Sequence, residues 1–545
     1  MPPSQAPLAL VVFAAGISTM AVEMLAARLI APFYGTSLLI WALLLFSILC
    51  ALTVGYFWGG KRADADPRVE PLARTLTIAS VLLCLGPYVG LWWLQNCPRA
   101  DFVVVSMVGA IGGHAVGLVG AVILLCTPVA LLGSVGPYVI RLRAKDPLMM
   151  GTGAGSILGL STVGSILGTY LPALVGIPKL GTLWSFLALA ALVGVAAVLI
   201  TPPGNQRMVA LGLGLLLPFM MTLYHPGLLR PGSGIIYEGE SVYNTVQIKE
   251  HHVPDNRHKP YSRVMLILNE GYAVHSITTD DDSWCYPLVG SVWDYMGLLP
   301  CLSQPQGKQL DVGIVGLAGG TVAREILAFY KGIYDVKIDG AEIDPLIIEL
   351  ARRYFRLPAE VQAHAQDGRA FLSRTEKRFD LIVTDAYRQP YIPFHLTTQE
   401  YFTIVKSRLK PGGICSINVG STNPKEALLS KILATMRSVF AEVFIFEVPR
   451  VTPLFANYLV LASAEKGVIK SPNDPSRTLG ARVAARFPGA PVSEVLAVWA
   501  ANLRPADVSD ATVLTDDRAD VENLVHSMII RAITDPGLNI SELDH

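Results

Sequence analysis

Four places in the second half of the chain combine residue types and spacings that suit one kind of chemistry. At 310–316 an apolar stretch reads as a β-strand and runs into Gly316, Leu317, Ala318, Gly319, Gly320 and Thr321, after which a helix carries Arg324 and Glu325. A glycine loop between strand and helix lets a ligand approach bare backbone at the positive end of the helix. A second strand, 336–341, ends at Glu342 and Asp344. Glu342 lies 26 positions beyond Gly316, where an acidic side chain can accept hydrogen bonds from both hydroxyls of a ribose. A third strand ends at Asp367 and Gly368, and a fourth, 379–384, ends at Asp385. Ligands of open α/β sheets sit outside the carboxyl ends of the strands, so three strands delivering acids to that edge predict one crevice.

Such a crevice needs a complete soluble core, and the chain is long enough to hold one beside something quite different. Of 545 residues 52% are hydrophobic and only 16% charged, too apolar for one ordinary soluble fold. Up to residue 228 there are 11 Lys or Arg and 6 Asp or Glu; beyond it there are 32 and 37, so the zero net charge hides two halves suited to different solvents. Apolar stretches at 7–32, 36–60, 72–95, 115–140, 151–176 and 180–200 are long enough to span a bilayer, and a shorter one at 208–226 is interrupted by Pro218. That predicts six or seven spans. The pairs Gly55/Gly59, Gly155/Gly159 and Gly164/Gly168 carry the spacing that permits close helix contact in lipid. Glu23, Arg28 and His114 are ionisable residues inside apolar segments and need partners there, or line a polar path. Basic residues at 61–74 and 141–145 place those loops and the N-terminus in the cytoplasm. Six spans then leave the second half cytoplasmic, whereas seven export it; 208–226 is read as interfacial or re-entrant, which puts the second half in the cytoplasm. The start lacks the basic region of a cleaved signal, so the first segment is expected to stay. Seven cysteines form no CxxC pair and His251, His252 and His258 have no ligand spacing, so structural thiols and no metal are expected. The charge balance is not that of a nucleic-acid-binding protein.

From about 229 short alternating stretches, 242–248 and 265–268, predict a small β-domain ahead of the glycine loop. With this order in hand, the segments Gly316-Leu-Ala-Gly-Gly-Thr321, Ala341-Glu-Ile-Asp344, Gln366-Asp-Gly368 and Phe379-Asp-Leu-Ile-Val-Thr-Asp385 resemble the spermidine synthase (polyamine aminopropyltransferase) family over about 235–460. The full chain, with Leu514-Thr-Asp-Asp517 near its end, is similar to the membrane-fused relatives of that family. The resemblance implies a multi-span helical membrane domain (1–228), a small β-domain (229–305), a Rossmann-like methyltransferase-type domain (306–465) and a helical tail (466–545). It implies that Glu342 holds the ribose, Asp367 with Gly368 the adenine, and Asn244 the cofactor tail beside Gly316, Gly319 and Gly320. Asp385 matches the catalytic aspartate, Tyr286 a pocket tyrosine, and His275, Tyr387 and Arg388 fall at substrate-binding positions. The donor would be S-adenosylmethionine or its decarboxylated form, the acceptor a small amine, the product methylthioadenosine and a polyamine. Membrane lipids and, as in soluble members, a second copy of the chain would be partners, and the setting a bacterial-type inner membrane.

The departures bear on the reaction. The family's glycine loop usually carries an Asp that grips the amine of the decarboxylated donor, and Gly319 or Gly320 stands there; the second acid of its Asp-x-x-Asp motif is Arg388. An arginine repels a diamine but can hold a carboxylate through paired hydrogen bonds. Aminocarboxypropyl or methyl transfer, cleavage of S-adenosylmethionine without an external acceptor, and a transporter with a nucleoside-sensing domain therefore stay open beside polyamine synthesis. Trp293 and Tyr295 are assigned to the core.

Overall fold

The computed structural model describes residues 5–34, 38–96, 107–143, 150–224, 228–254, 260–269, 273–280, 283, 285–388, 391–450, 456–507 and 511–534. Cys97, His258, Asp281, Asp282 and Trp284 lie outside the described residues, as does the side chain of His114. The chain forms two compact units, one of Met1–Ser233, Glu238–Thr245 and Leu268–Gly271, the other of Gly234–Tyr237, Val246–Ile267 and Tyr272–His545.

The first unit contains α1 (Gln5–Tyr34), α2 (Leu38–Ala65), α3 (Val69–Asn96), α4 (Met107–Gly133), α5 (Val135–Arg143), α6 (Met150–Leu171) and α7 (Thr182–Ile200). Among the described residues six helical runs are long and apolar enough to cross a membrane: 6–34, 40–65, 69–96, 117–143, 151–180 and 182–200. A 28-residue helix is about 42 Å long, more than a hydrocarbon core of ~30 Å requires. The stretch at 208–226 holds a helix that runs from Asn205 to Met221 and widens into a π turn at Gly212–Leu216. Pro218 follows just after that π turn, where the backbone ladder is already shifted. Glycine lets two helix pairs touch backbone to backbone. A Cβ at Gly164 would lie 2.5 Å from the Phe13 carbonyl oxygen, and Gly16 and Gly168 leave as little room at Ser161 and Ile17, so α1 and α6 meet without side chains between them. Gly55 and Gly59 play the same part against Ala130 of α4 and Ser134 just beyond its end. The third pair corrects the sequence expectation: among the described residues nothing lies within 4 Å of a Cβ at Gly155 or Gly159, and that part of α6 is exposed. Glu23 is buried.

The second unit holds most of a four-stranded sheet in the order β1 (Ile235–Glu240), β2 (Thr245–Val253), β3 (Tyr261–Leu268) and β4 (Val274–Thr279), with β3 antiparallel to β4. It also holds an eight-stranded sheet of β5 (Gln309–Val315), β6 (Asp335–Glu342), β7 (Gln362–Ala365), β8 (Phe379–Thr384), β9 (Leu409–Ser421), β10 (Glu442–Glu447), β11 (Ala456–Ser463) and β12 (Arg504–Pro505). The strand order is β12-β10-β11-β9-β8-β5-β6-β7. β7, β6, β5, β8 and β9 are parallel, and β11 and β10 close that edge antiparallel. The continuous apolar runs are explained by burial on both faces. Val312, Ile314, Leu381 and Val383 enter one core, while Val315, Phe379 and Ile382 enter the other. The tail completes the first of these cores: Val492, Leu496 and Trp499, on one face of helix Val492–Asn502, are buried in it, and Trp499 stacks on Phe446 at 3.8 Å between ring centroids. The chain runs outward from β5 to β6 and β7, then returns to β8 on the other side of β5. Connections therefore diverge between β5 and β8, which opens a crevice at their carboxyl ends.

Candidate active site

The loop after β5 is shaped by that divergence. Gly316 has φ +89°, and a Cβ there would sit 2.5 Å from the Asp385 carbonyl oxygen, so only glycine lets the loop cross the end of β8. The Asp385 N–H donates to the Val315 carbonyl (2.8 Å), locking the two strand ends together. Gly319 and Gly320 are buried. The Gly319 N–H donates to Ser276 Oγ of β4 (2.8 Å), a Cβ there would lie 2.7 Å from the Ser276 Cβ and 3.0 Å from the Phe355 ring, and Gly320 is backed against Leu357. These two glycines thus seat the loop on its neighbours. Thr321 fastens the first turn of α8 (Thr321–Tyr330) to β4 by accepting from the Ile277 N–H and donating to the Ile277 carbonyl.

Glu342, at the end of β6, is buried and accepts from the backbone N–H of Ala318 (2.9 Å) and of Asp344 (3.1 Å). Burial outweighs these bonds and pushes its carboxyl up to about 7. Asp344 caps α9 (Pro345–Tyr354). Asp367 caps α10 (Gly368–Arg374) through the Ala370 N–H, and its second oxygen pairs with His395 Nε2 at 2.9 Å, which holds the carboxyl below its usual range. Gly368 leaves no room for a side chain against Val315.

Asp385 directly follows β8 with both oxygens engaged: Trp293 Nε1 donates to Oδ2 (2.8 Å) and Asn418 Nδ2 to Oδ1 (2.9 Å). Burial raises its carboxyl, and the two bonds oppose the rise. A carboxylate accepts only, so the Asn418 amide must turn its nitrogen to Asp385; its oxygen, Oδ1, is buried and has no partner among the described residues. Tyr387 is tied to the end of β9, its hydroxyl donating to the Asn418 carbonyl (2.9 Å) and accepting from the Gly420 N–H (2.8 Å); burial and the nearby Asp385 push its hydroxyl up.

The other expected residues are placed less centrally. Arg388 is exposed at a turn in which its backbone pairs with Tyr391 in both directions. Tyr286 is half-buried, its N–H donating to the Ser283 carbonyl. His275 lies on β4, where burial pulls it down to about 4 and leaves Nε2 without a partner among the described residues. Asn244 belongs to the other unit, where its Oδ1 accepts from Asn269 Nδ2 (2.9 Å). From the tail, Asp516 forms a two-bond pair with Arg369 (2.6 and 2.7 Å), and Arg369 also donates to the His395 carbonyl. The tail is thereby joined to the helix that Asp367 caps.

Sequence reasoning missed Trp293, Asn418, His395 and Ser276. Two of them left a signal: a buried indole N–H requires an acceptor, and Asn418 is a lone amide in the apolar run 414–419.

The sheet order and strand-end acids define a Rossmann-like α/β domain with its ligand crevice at the switch point. Residues 292–470, in the C-terminal part of this chain, match the spermine/spermidine synthase domain. The chain is 31% identical over 312 residues to a probable polyamine aminopropyl transferase of Bifidobacterium longum, covering 56% of this chain and 65% of that one. It is 29% identical over 226 residues to a polyamine aminopropyltransferase of Vibrio vulnificus, covering 40% and 69%. Thus it spans slightly under two thirds of the first of these relatives. A solved structure, a probable spermidine synthase of Corynebacterium glutamicum, aligns with a TM-score of 0.38 and 18% identity over 52% of this chain and 97% of its own.

Proposed function

We propose that this protein is a membrane-anchored transferase of the aminopropyl type, in which Glu342 and Asp367 hold the nucleoside of an adenosyl sulfonium donor and Asp385 orients the attacking amine. The observation that carries this reading is Asp385 itself. Its carboxylate sits at the switch point, aimed by two neutral donors, beside the Asn418 Oδ1 that has no partner among the described residues. An ammonium brought there finds acceptors for its hydrogens and a base for its proton. The amine nitrogen then attacks the methylene next to sulfur; the carbon–sulfur bond breaks, its electron pair stays on sulfur as the thioether of methylthioadenosine, and the released proton passes through Asp385. Since sulfonium leaves without acid help, alignment is the main task.

The packed glycines bear on the donor. Gly319 has no space for a side chain, so the loop offers no acid to a donor ammonium group, and exposed Arg388 is suited to a carboxylate. This favours, as a second reading, intact S-adenosylmethionine as donor in aminocarboxypropyl transfer or in cleavage without an acceptor. The six apolar helices anchor the enzyme in the membrane, with the catalytic unit on the cytoplasmic side.

The test is to incubate the full-length protein in detergent with each donor, with and without putrescine or spermidine, and to follow products by mass spectrometry against Asp385→Asn. Methylthioadenosine plus an amine enlarged by one aminopropyl group, made only from the decarboxylated donor, supports polyamine synthesis. Methylthioadenosine from S-adenosylmethionine itself supports the second reading, and tight binding without any product overturns both.

A further inference from the structure

A pair of buried acids lies behind Trp293. The helix that carries it, Val292–Gly297, has a first turn closed by Asp294, which accepts from the N–H groups of Val289 (2.8 Å), Gly290 (2.9 Å) and Ser291 (3.3 Å). Across from it on α8 is Glu325, 1% exposed, and neither of its oxygens receives a hydrogen bond among the described residues. Two ionised carboxylates cannot share a dry site with only one of them served by donors. The arrangement is satisfied when Glu325 keeps its proton and donates it to Asp294. Burial and the charge of Asp294 both hold the Glu325 carboxyl well above its ordinary range, while Arg324 on the same helix pulls weakly the other way. The fit is close: a Cβ at Gly297 would lie 2.5 Å from Glu325 Oε2.

We propose that Glu325 is a positioning residue for Asp385: by donating its carboxyl proton to Asp294 it fixes the helix Val292–Gly297 to α8 and so presents the Trp293 indole N–H to the Asp385 carboxylate. The same bond ties that indole to the glycine loop, since α8 starts at the loop's last residue, with Gly320 as its cap. One carboxyl proton therefore sets the spacing between the part that holds the nucleoside and the part that holds the base. This inference rests on the role proposed for Asp385.

The experiment uses full-length protein in detergent with Glu325→Gln, Glu325→Leu, Glu325→Met, Trp293→Phe and the Glu325→Leu/Trp293→Phe double variant. The infrared difference between parent and Glu325→Gln at neutral pH should show the carbonyl stretch of one protonated acid, apart from the band that Glu342 contributes to both. The amide still donates, so Glu325→Gln should keep the rate of product formation within about threefold and the acid limb of its pH profile unmoved. Glu325→Leu and Glu325→Met should lose about tenfold at neutral pH and move the acid limb upward, as Trp293→Phe does, with the double variant no worse than Trp293→Phe alone. A merely structural role predicts lower thermal stability with an unmoved acid limb and losses that add; that result, or absence of the acid band, overturns the proposal. If no donor gives product, the reaction proposed above fails, while the acid band and a thermal double-mutant cycle between positions 293 and 325 still decide whether the two are coupled. Should the leucine variant not fold, the glutamine and methionine variants carry the comparison.

Discussion

Glu342 offers a test in which the structure sets both sign and size. Its carboxyl is raised from 4.5 to about 7, chiefly by burial, although two backbone N–H groups favour the charged form. That shift corresponds to about 3 kcal/mol against the ionised form. A ribose diol adds two more donors and draws the group toward ionisation, so the nucleoside binds the charged state. The apparent dissociation constant for methylthioadenosine should accordingly fall about tenfold between pH ~6 and pH ~8 and level off above. Calorimetric titration across that range, in two buffers of different ionisation enthalpy, reads both the affinity and the protons released. Glu342→Gln keeps the shape and the Asp367–His395 pair, and should flatten the profile at the weak end. The unliganded protein should behave oppositely. A carboxyl raised in the folded state contributes stability fully present below about 4.5 and lost as pH rises through about 7, so the thermal midpoint should fall over that interval. An affinity flat with pH in the parent, or sloping equally in Glu342→Gln, would refute the assignment of Glu342 to the ribose.

Four further outcomes follow from the geometry. Asp385→Asn should abolish product formation while leaving methylthioadenosine affinity within about threefold, because the nucleoside is held by other strands; equilibrium binding beside product analysis checks it. Gly316→Ala puts a side chain in left-handed backbone, about 1–2 kcal/mol by itself, and against the Asp385 carbonyl, so thermal stability and activity should fall together. Asp516→Asn breaks a pair with Arg369 that is partly exposed, so stability should change by about 1 kcal/mol or less, whereas nucleoside affinity should drop severalfold through the helix that Asp367 caps. In the helical unit, Gly168→Leu must force α1 and α6 apart and cost about 1–3 kcal/mol or more, while Gly159→Leu, with nothing near it among the described residues, should be tolerated; thermal melts in detergent separate the two.

Local chemistry determined much of this protein from the sequence alone. The apolar stretches before residue 201 became six long helices within a few residues of their expected limits, because a segment's length and hydropathy do not depend on its neighbours. The order of strand, glycine loop, helix and strand-end acid was equally legible, since a loop of small residues between apolar runs has few ways to fold, and Glu342, Asp367 and Asp385 do end β6, precede α10 and directly follow β8. What only the tertiary structure decided are relations between distant segments. Gly155/Gly159 and Gly164/Gly168 share one spacing, yet among the described residues only the second pair meets another helix, because contact depends on which face the bundle covers. Trp293 reads as core in its own segment and becomes a partner of Asp385 only when residues 92 positions apart are brought together. The glycines of the loop divide their work in the same way: Gly316 yields to the end of β8, Gly319 and Gly320 to Ser276, Phe355 and Leu357, and no local pattern distinguishes them. Spacing along a chain specifies which groups reach a sheet edge, whereas packing across the sheet decides which of them point at one another.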